Sequence, residues 1–211
     1  DHINCQADSI ARFISNDTNI LSWKVEGPFD SSYSLAILNR YLTQEFNYKI
    51  PQLLIHNTEG LGDYSTNINY LKKFPSLYSI YEKSLSESSL FTQVISRNLY
   101  PPRVSDLNAK INLLHSYGWE ESEFPSDWVK EFNTYLQGMT VMSSQVKKIL
   151  LDNGVHIPIH ISGLGVDHIN RINAAQDFHI LGRRFKLLHI SSGFPRKGLD
   201  VLLSAFGKAF S

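Results

Sequence analysis

The amino-acid sequence predicts an α/β protein built on a doubly wound parallel sheet. Six short apolar runs alternate with stretches that have the periodicity of amphipathic helices. Several of these runs are followed by glycine, proline or serine, which is typical of the loops that connect strands to helices. With 42% hydrophobic and 19% charged residues, the composition is that of a globular protein with a sizeable core.

The predicted strands of the first domain are its most continuous apolar runs. They cover residues 20–26, 52–56, 91–96, 111–117, 138–144 and 156–162. After the first strand, a helix is predicted to begin near Tyr33, and Asp30, Ser31 and Ser32 are the residues that could cap it.

The later connections are also predicted to be helical. Residues 57–90 are rich in serine, asparagine and tyrosine and predict helical pieces broken at Pro75. Their aromatic side chains could line a sugar-binding surface or could cap the core. Ser126 is predicted to cap the helix after the fourth strand, and Ser144 the helix after the fifth.

A further strand-loop-helix unit is predicted near the end of the chain. Residues 185–191 predict a buried strand and 192–197 a tight loop, and the helix that starts at Gly198 has one apolar stripe. Arg196 and Lys197 precede this helix. Because the first N–H groups of a helix are unpaired and partly positive, the unit could hold a phosphate. The alternative is an ordinary turn with two solvated cations.

The predicted domain organisation has four parts. Residues 1–19 are a lead-in segment, 20–167 the first domain, 168–184 a connector, and 185–211 the start of a second domain. We interpret the chain as a fragment that ends soon after the second domain begins, and we expect it to have no turnover by itself.

Charge and cysteine content narrow the functional classes. Twenty basic side chains balance twenty acidic ones, which gives no support for nucleic-acid binding or for more than peripheral contact with a membrane. Cys5 is the single cysteine, which favours the cytoplasm. No apolar run approaches the roughly 20 residues of a membrane span, and no signal-peptide pattern is present at the N-terminus.

Two arginines and several histidines are candidate functional residues. Arg97 and Arg103 are predicted to project from a loop at the carboxyl edge of the sheet, where they could bind an anion or form surface salt bridges. His115 lies on a strand, where a histidine is usually part of the core. His156 and His160 would be about 13 Å apart on a strand, so no metal site is expected there.

Several segments resemble group 1 glycosyltransferases, which are two-domain enzymes with the GT-B fold. Residues 191–206 (Ser-Ser-Gly-Phe-Pro-Arg-Lys-Gly-Leu-Asp-Val-Leu-Leu-Ser-Ala-Phe) resemble the first βα unit of the second domain of these enzymes. Residues 117–129 (Tyr-Gly-Trp-Glu-Glu-Ser-Glu-Phe-Pro-Ser-Asp-Trp-Val) resemble a block found in a subset of them, and residues 26–35 resemble the loop that opens their acceptor domain. The segments 141–148 and 163–167 have similar counterparts.

The resemblance implies a Rossmann-like acceptor domain and transfer of a sugar, with retention, from a nucleotide-sugar to a hydroxyl of a glycan or a lipid-linked acceptor. It implies no cofactor and no metal, and a location in the cytoplasm or at the inner face of the membrane. Lys197, with Arg196, would contact the donor diphosphate. Glu120 or His115 would act beside the reacting sugar. The acceptor-side loops would contribute Gly27, Ser31, Ser32, Arg97, Arg103 and Glu121.

Two other classes of protein remain open at this point. A sugar-binding or scaffold module that has lost catalysis would have the same sequence over this length. A nucleotide-sugar epimerase of the dinucleotide-binding type is the other alternative, but the chain has no Gly-x-Gly-x-x-Gly fingerprint.

Overall fold

A computed structural model describes residues 21–60, 65–87, 92–166, 169–170, 172–173, 181–182 and 185–210. The chain divides into two compact units, Asp1–Gly165 and Val166–Ser211. The predicted lead-in segment lies outside the described residues, as does most of the predicted connector.

The first unit has six strands and five helices in its described residues. The strands are β1 (Ser22–Gly27), β2 (Gln52–Asn57), β3 (Val94–Arg97), β4 (Ile111–Tyr117), β5 (Gly138–Val141) and β6 (Ile159–Ile161). The helices are α1 (Ser34–Asn47), α2 (Ile68–Leu71), α3 (Pro75–Ser86), α4 (Ser126–Tyr135) and α5 (Ser144–Asp152).

All six strands are parallel and form one sheet in the order β2-β1-β3-β4-β5-β6. From β1 the chain moves to β2 on one side and later to β3 on the other, so the direction of winding reverses between β1 and β3. The predicted α/β fold with a doubly wound parallel sheet is confirmed.

Helices cover both faces of this sheet. On β4, the side chains of Leu114 and Tyr117 belong to an apolar cluster with Phe132 of α4 and Leu150 of α5. The intervening His115 points the other way and contacts α1. The two faces therefore have separate helical layers, as a doubly wound sheet requires.

A second apolar cluster lies under β1 and β2. It contains Val25 and Ile55 of the sheet together with Leu77 and Ile80 of α3. At the edge of the sheet, the Ile55 N–H donates to Ser84 Oγ of α3 at 2.8 Å. Helix α3 therefore covers this edge strand, which would otherwise present unpaired backbone groups.

Several predicted boundaries were wrong. The fifth strand ends at Val141 rather than 144, and the sixth contains only Ile159–Ile161. The extra residues lie in loops, except Ser144, which is the first residue of α5. The strands are shorter because they pair over three residues only.

The predicted helix caps also needed correction. Tyr33 is the N-cap of α1 and makes no side-chain cap bond, while Asp30 instead accepts a hydrogen bond from the Asn67 N–H at 2.6 Å. Pro125 precedes α4, so Ser126 is the first helical residue. Ser143, one residue before the predicted Ser144, caps α5 by accepting from Val146 N–H.

The second unit contains a short 3-10 turn, Pro195–Lys197, and a helix α6, Leu199–Ala209. The predicted buried strand 185–191 was wrong. Residues 185–190 form no strand pairing in the part of the chain that the structure describes, and Leu188 and Ile190 are more than four-fifths exposed. A strand needs a paired neighbour, and apolar sequence alone does not supply one.

Candidate functional site

The carboxyl edge of the sheet between β1 and β3 is the candidate site. In open α/β sheets, ligands bind outside the carboxyl ends of the strands, at the point where the winding direction reverses. Here that point is bordered by the loop after Gly27 and the loop after Arg97. Both loops contain residues that the sequence analysis singled out.

Gly27 lets these two loops approach each other closely. Its φ of 147° lies in a region that favours glycine, and a Cβ at this position would overlap the Asn98 carbonyl oxygen and the Asn39 amide nitrogen. Asn39 Nδ2 donates to the carbonyl oxygens of Pro28 and Asn98, at 3.0 and 3.1 Å. Gly27 therefore permits a side chain of α1 to join the two loops.

The same asparagine determines the state of His115. Because Asn39 Nδ2 donates to two carbonyls, its Oδ1 faces the imidazole and accepts from Nε2 at 2.8 Å. Nδ1 is buried and has no hydrogen-bond partner among the described residues. Burial lowers the pKa of His115 to about 3, and the nearby Ser96 carbonyl offsets this only in part. The imidazole is thus a neutral part of the layer between sheet and helix.

The side chain of Asn98 binds the backbone near the carboxyl end of β4. Its Nδ2 donates to the carbonyls of His115 and Ser116, at 2.9 and 3.2 Å. Ser116 has a φ of 47°, in the left-handed region, and the pairing with β5 shifts register at this point. Such bulges redirect side chains at sheet edges.

The prediction that Arg97 projects from a loop was wrong. Arg97 is the last residue of β3 and is 4% exposed. Its Nε and Nη2 donate to Glu26 Oε2 at 2.9 and 2.5 Å, and its Nη1 donates to Asp106 Oδ1 at 2.6 Å and to the Arg103 carbonyl at 2.9 Å. With the bond from Nη2 to Asp106 Oδ2, all five N–H groups have acceptors, so none remains for a ligand.

Arg103 is half-buried, and its guanidinium packs against the α-carbon of Gly60, in the loop after β2. Its Nε is buried without a hydrogen-bond partner among the described residues. Arg103 therefore links the loops that follow β2 and β3.

Arg40 of α1 stabilises the loop before α1 through hydrogen bonds to its backbone. This buried guanidinium donates through Nη1 to the Phe29 and Ser31 carbonyls at 2.7 and 2.5 Å, and it lies 4.7 Å from the ring centre of Phe74. Ser31 Oγ is buried without a partner in the described part of the chain, whereas Ser32 is exposed. Ser32 is thus the predicted acceptor-side serine that solvent reaches.

The loop after β4 carries an aromatic cluster. Trp119 packs edge-to-face on Phe124 and Trp128, and its Nε1 donates to the Glu123 carbonyl at 2.8 Å. Exposed Tyr100, from the loop after β3, contacts Trp128.

Glu120 and Glu121 are exposed in the same loop. The structure therefore places Glu120 and Glu121 at the carboxyl edge of the sheet, where they are exposed, whereas His115 is buried beneath this surface.

The predicted diphosphate site belongs to the second unit. Arg196 and Lys197 are exposed in the 3-10 turn, and Gly198 follows in the left-handed conformation with a φ of 65°. Helix α6 begins without a side-chain cap, so its first N–H groups have no bond from an N-cap side chain.

Several residues of the site were missed at the level of sequence. The roles of Glu26, Asn98 and Asn39 depend on contacts between segments that are far apart in the sequence, which no local pattern indicates. The position of Glu26 next to Gly27 is the signal that could have indicated a polar strand end.

Among the described residues, no group of three or more histidines, cysteines or carboxylates is placed to hold a metal ion. Within the same part of the chain, no helix combines the length and apolar character needed to cross a membrane.

Comparisons with known proteins gave no match: none among the protein-family models, the curated proteins or the solved structures. The fold itself defines the class. The chain is an α/β protein with a Rossmann-like, doubly wound parallel sheet.

Proposed function

We propose that the chain is the acceptor-side domain of a nucleotide-sugar glycosyltransferase of the GT-B plan, followed by the first part of its donor domain. The observation that carries this proposal is the reversal of winding between β1 and β3. The loop after β1 begins there, and residues 26–35 resemble the loop that opens the acceptor domain of group 1 glycosyltransferases.

The chemistry of the carboxyl edge supports an acceptor site. Exposed Ser32, Glu120 and Glu121 provide groups that can bond sugar hydroxyls, and exposed Tyr100 provides an aromatic face. Arg40 bonds the loop that carries Ser32, and Arg97 bonds the loop that carries Tyr100. Transfer requires a positioned acceptor, and a rigid loop base serves that purpose.

The donor role is assigned to Lys197, with Arg196 beside it. A leaving diphosphate develops negative charge, which the start of α6 and an adjacent ammonium would stabilise. The uncapped start of this helix supports the assignment. We retain transfer with retention, without a cofactor or metal, as part of the proposal.

A binding titration tests the proposal. Calorimetry with UDP, GDP and ADP and their glucose derivatives should show that one nucleotide binds. Lys197→Ala should weaken that binding by about tenfold or more, as loss of a charge-assisted bond predicts. Lys208→Ala is the matched control, because it removes the same charge from the last turn of α6.

Three results would contradict the proposal. The first is binding of NAD without binding of any nucleoside diphosphate, which would favour the epimerase class. The second is an equal effect of the Lys197 and Lys208 substitutions. The third is binding of a sugar acceptor without any nucleotide, which would favour the non-catalytic binding module.

A further inference from the structure

Three neighbouring strands place charged or titratable side chains side by side at the carboxyl edge. In the parallel register, Glu26 of β1 lies opposite His56 of β2 and opposite Arg97 of β3. Side chains at paired positions point to the same face of a sheet, so the three form a row. His56 was not among the residues that the sequence analysis singled out.

Arg97 fixes the central member of this row. Both bonds from Arg97 to Glu26 end on Oε2, which leaves Oε1 turned toward β2. Burial alone would raise the pKa of Glu26, but His56 and Arg97 outweigh this and lower it. Glu26 is therefore a buried, ionised carboxylate with one oxygen directed at His56.

One ring nitrogen of His56 faces that oxygen, and more than half of the His56 side chain is exposed to solvent. Nδ1 lies 3.6 Å from Glu26 Oε1, and the side chain of His56 is 59% exposed while that of Glu26 is 6% exposed. Nε2 lies on the opposite side of the ring from Nδ1. The distance is longer than a hydrogen bond, as is common for catalytic contacts before a substrate binds.

The loop that follows His56 contacts the proposed acceptor loop. Glu59, three residues after His56, accepts a hydrogen bond from the Tyr33 hydroxyl at 3.0 Å. Tyr33 immediately follows Ser31 and Ser32. The loop after β2 and the loop after β1 are therefore in direct contact at one edge of the sheet.

We propose that His56 is a proton-accepting residue that Glu26 orients, and that it receives the proton of the acceptor hydroxyl. The second half of this statement rests on the proposed function. In that step the acceptor oxygen bonds to the anomeric carbon from the face that the diphosphate leaves, so configuration is retained, and the bond from that carbon to the diphosphate oxygen breaks with its electron pair. The hydroxyl proton moves to Nε2, and the resulting imidazolium is balanced by Glu26.

A carboxylate behind an imidazole has two effects that can be measured without a sugar. It holds the ring proton on Nδ1, and it leaves the lone pair of Nε2 available to an electrophile. Diethyl pyrocarbonate acylates unprotonated imidazole and is the probe. We expect His56 to be acylated severalfold faster than the exposed His160 of β6, as read by mass spectrometry of peptides.

Two carboxylate variants separate orientation from stability. Glu26→Gln and Asp106→Asn each remove one carboxylate that accepts from Arg97, but only Glu26 faces His56. Glu26→Gln should reduce the acylation rate of His56 to that of His160. Asp106→Asn should leave the ratio of the His56 rate to the His160 rate unchanged. A His56 rate equal to that of His160 in the wild-type protein, or equal effects of the two variants, would overturn the proposal.

The tautomer of His56 in the wild-type protein gives a second readout, which needs no variant to fold. Long-range ¹H–¹⁵N correlation spectra should show neutral His56 with its proton on Nδ1, and a proton on Nε2 would overturn the proposal. A failure of nucleotides to bind would overturn the proposed function instead, whereas acylation and tautomer decide the role of His56.

Discussion

His115 connects the burial of one side chain with the pH dependence of folding. Its pKa is lowered to about 3 in the folded protein from an ordinary value of 6.5, so the unfolded chain binds the extra proton first as pH falls. The stabilisation is fully present above pH 6.5 and is lost as the pH falls toward 3. At pH 5 the loss is roughly 2 kcal/mol.

His115→Gln tests this directly, because glutamine keeps a donor for Asn39 but does not titrate. Urea unfolding at pH 7.5 and pH 5 should show a stability difference smaller than that of the wild-type protein by roughly 2 kcal/mol. His156→Gln, at an exposed position, should keep the wild-type difference. An unchanged difference in the His115 variant would contradict the assignment.

Gly27 is a second position where a single side chain should change stability, because the Asn98 backbone lies against it. Gly27→Ala forces a Cβ against the Asn98 carbonyl and strains a positive φ, so a loss of about 3 kcal/mol in the free energy of unfolding is expected. Gly165→Ala has open space around the new Cβ and should change stability little. Comparable losses in the two variants would refute the close approach.

At the level of elements, the ion pairs of Arg97 with Glu26 and Asp106 link β1 and β3 to the loop after β3. Glu26→Gln removes one of the two carboxylates that pair with the buried Arg97, so it should cost about 3 kcal/mol in the free energy of unfolding. Lys148→Ala breaks an exposed ion pair with Asp152 in α5 and should cost less than about 0.5 kcal/mol. Chemical denaturation measures the free energy of unfolding of both variants. Similar losses of stability would contradict a buried ion pair between Glu26 and Arg97.

The strands show which parts of the fold could be predicted from sequence. β1, β2 and β4 are long apolar runs, and their predicted positions agree with the structure to within two residues. β6 is shorter than predicted, because the length of a strand depends on its neighbour. Residues 185–190 are equally apolar but form no described strand pairing.

The position of the candidate-site loops at the carboxyl edge of the sheet could be predicted, but the bonds between their residues could not. Loops at the carboxyl edge follow from the alternation of strands and helices. The pairing of Arg97 with Glu26 joins residues that are 71 positions apart in the sequence. No local pattern distinguishes such a buried arginine from one that binds a ligand. The same is true of His115 and Asn39, which are 76 positions apart.

At the scale of the whole molecule, the two units differ in how much apolar surface they leave exposed. In the second unit, Phe185, Leu188, Ile190, Leu203 and Phe210 are all more than half exposed. Surfaces of this kind promote association. The purified chain should therefore bind the dye ANS and form concentration-dependent oligomers in sedimentation experiments.

A chain that ends at Gly165 should remain monomeric and bind little ANS, since it keeps both apolar clusters of the first unit. Its melting temperature should equal that of the transition assigned to the first unit in the longer chain. Oligomers of the shorter chain at the same concentration would show that the first unit carries the associating surface.

The most direct test of the proposed function is amide chemical-shift mapping during titration with the nucleotide-sugar that binds in calorimetry and with a glycan acceptor. Donor-induced shifts are expected at Lys197 to Asp200, and acceptor-induced shifts are expected at residues 28–33 and 118–121. Shifts confined to the amino ends of the strands, such as residues 49–52 and 109–111, would contradict it.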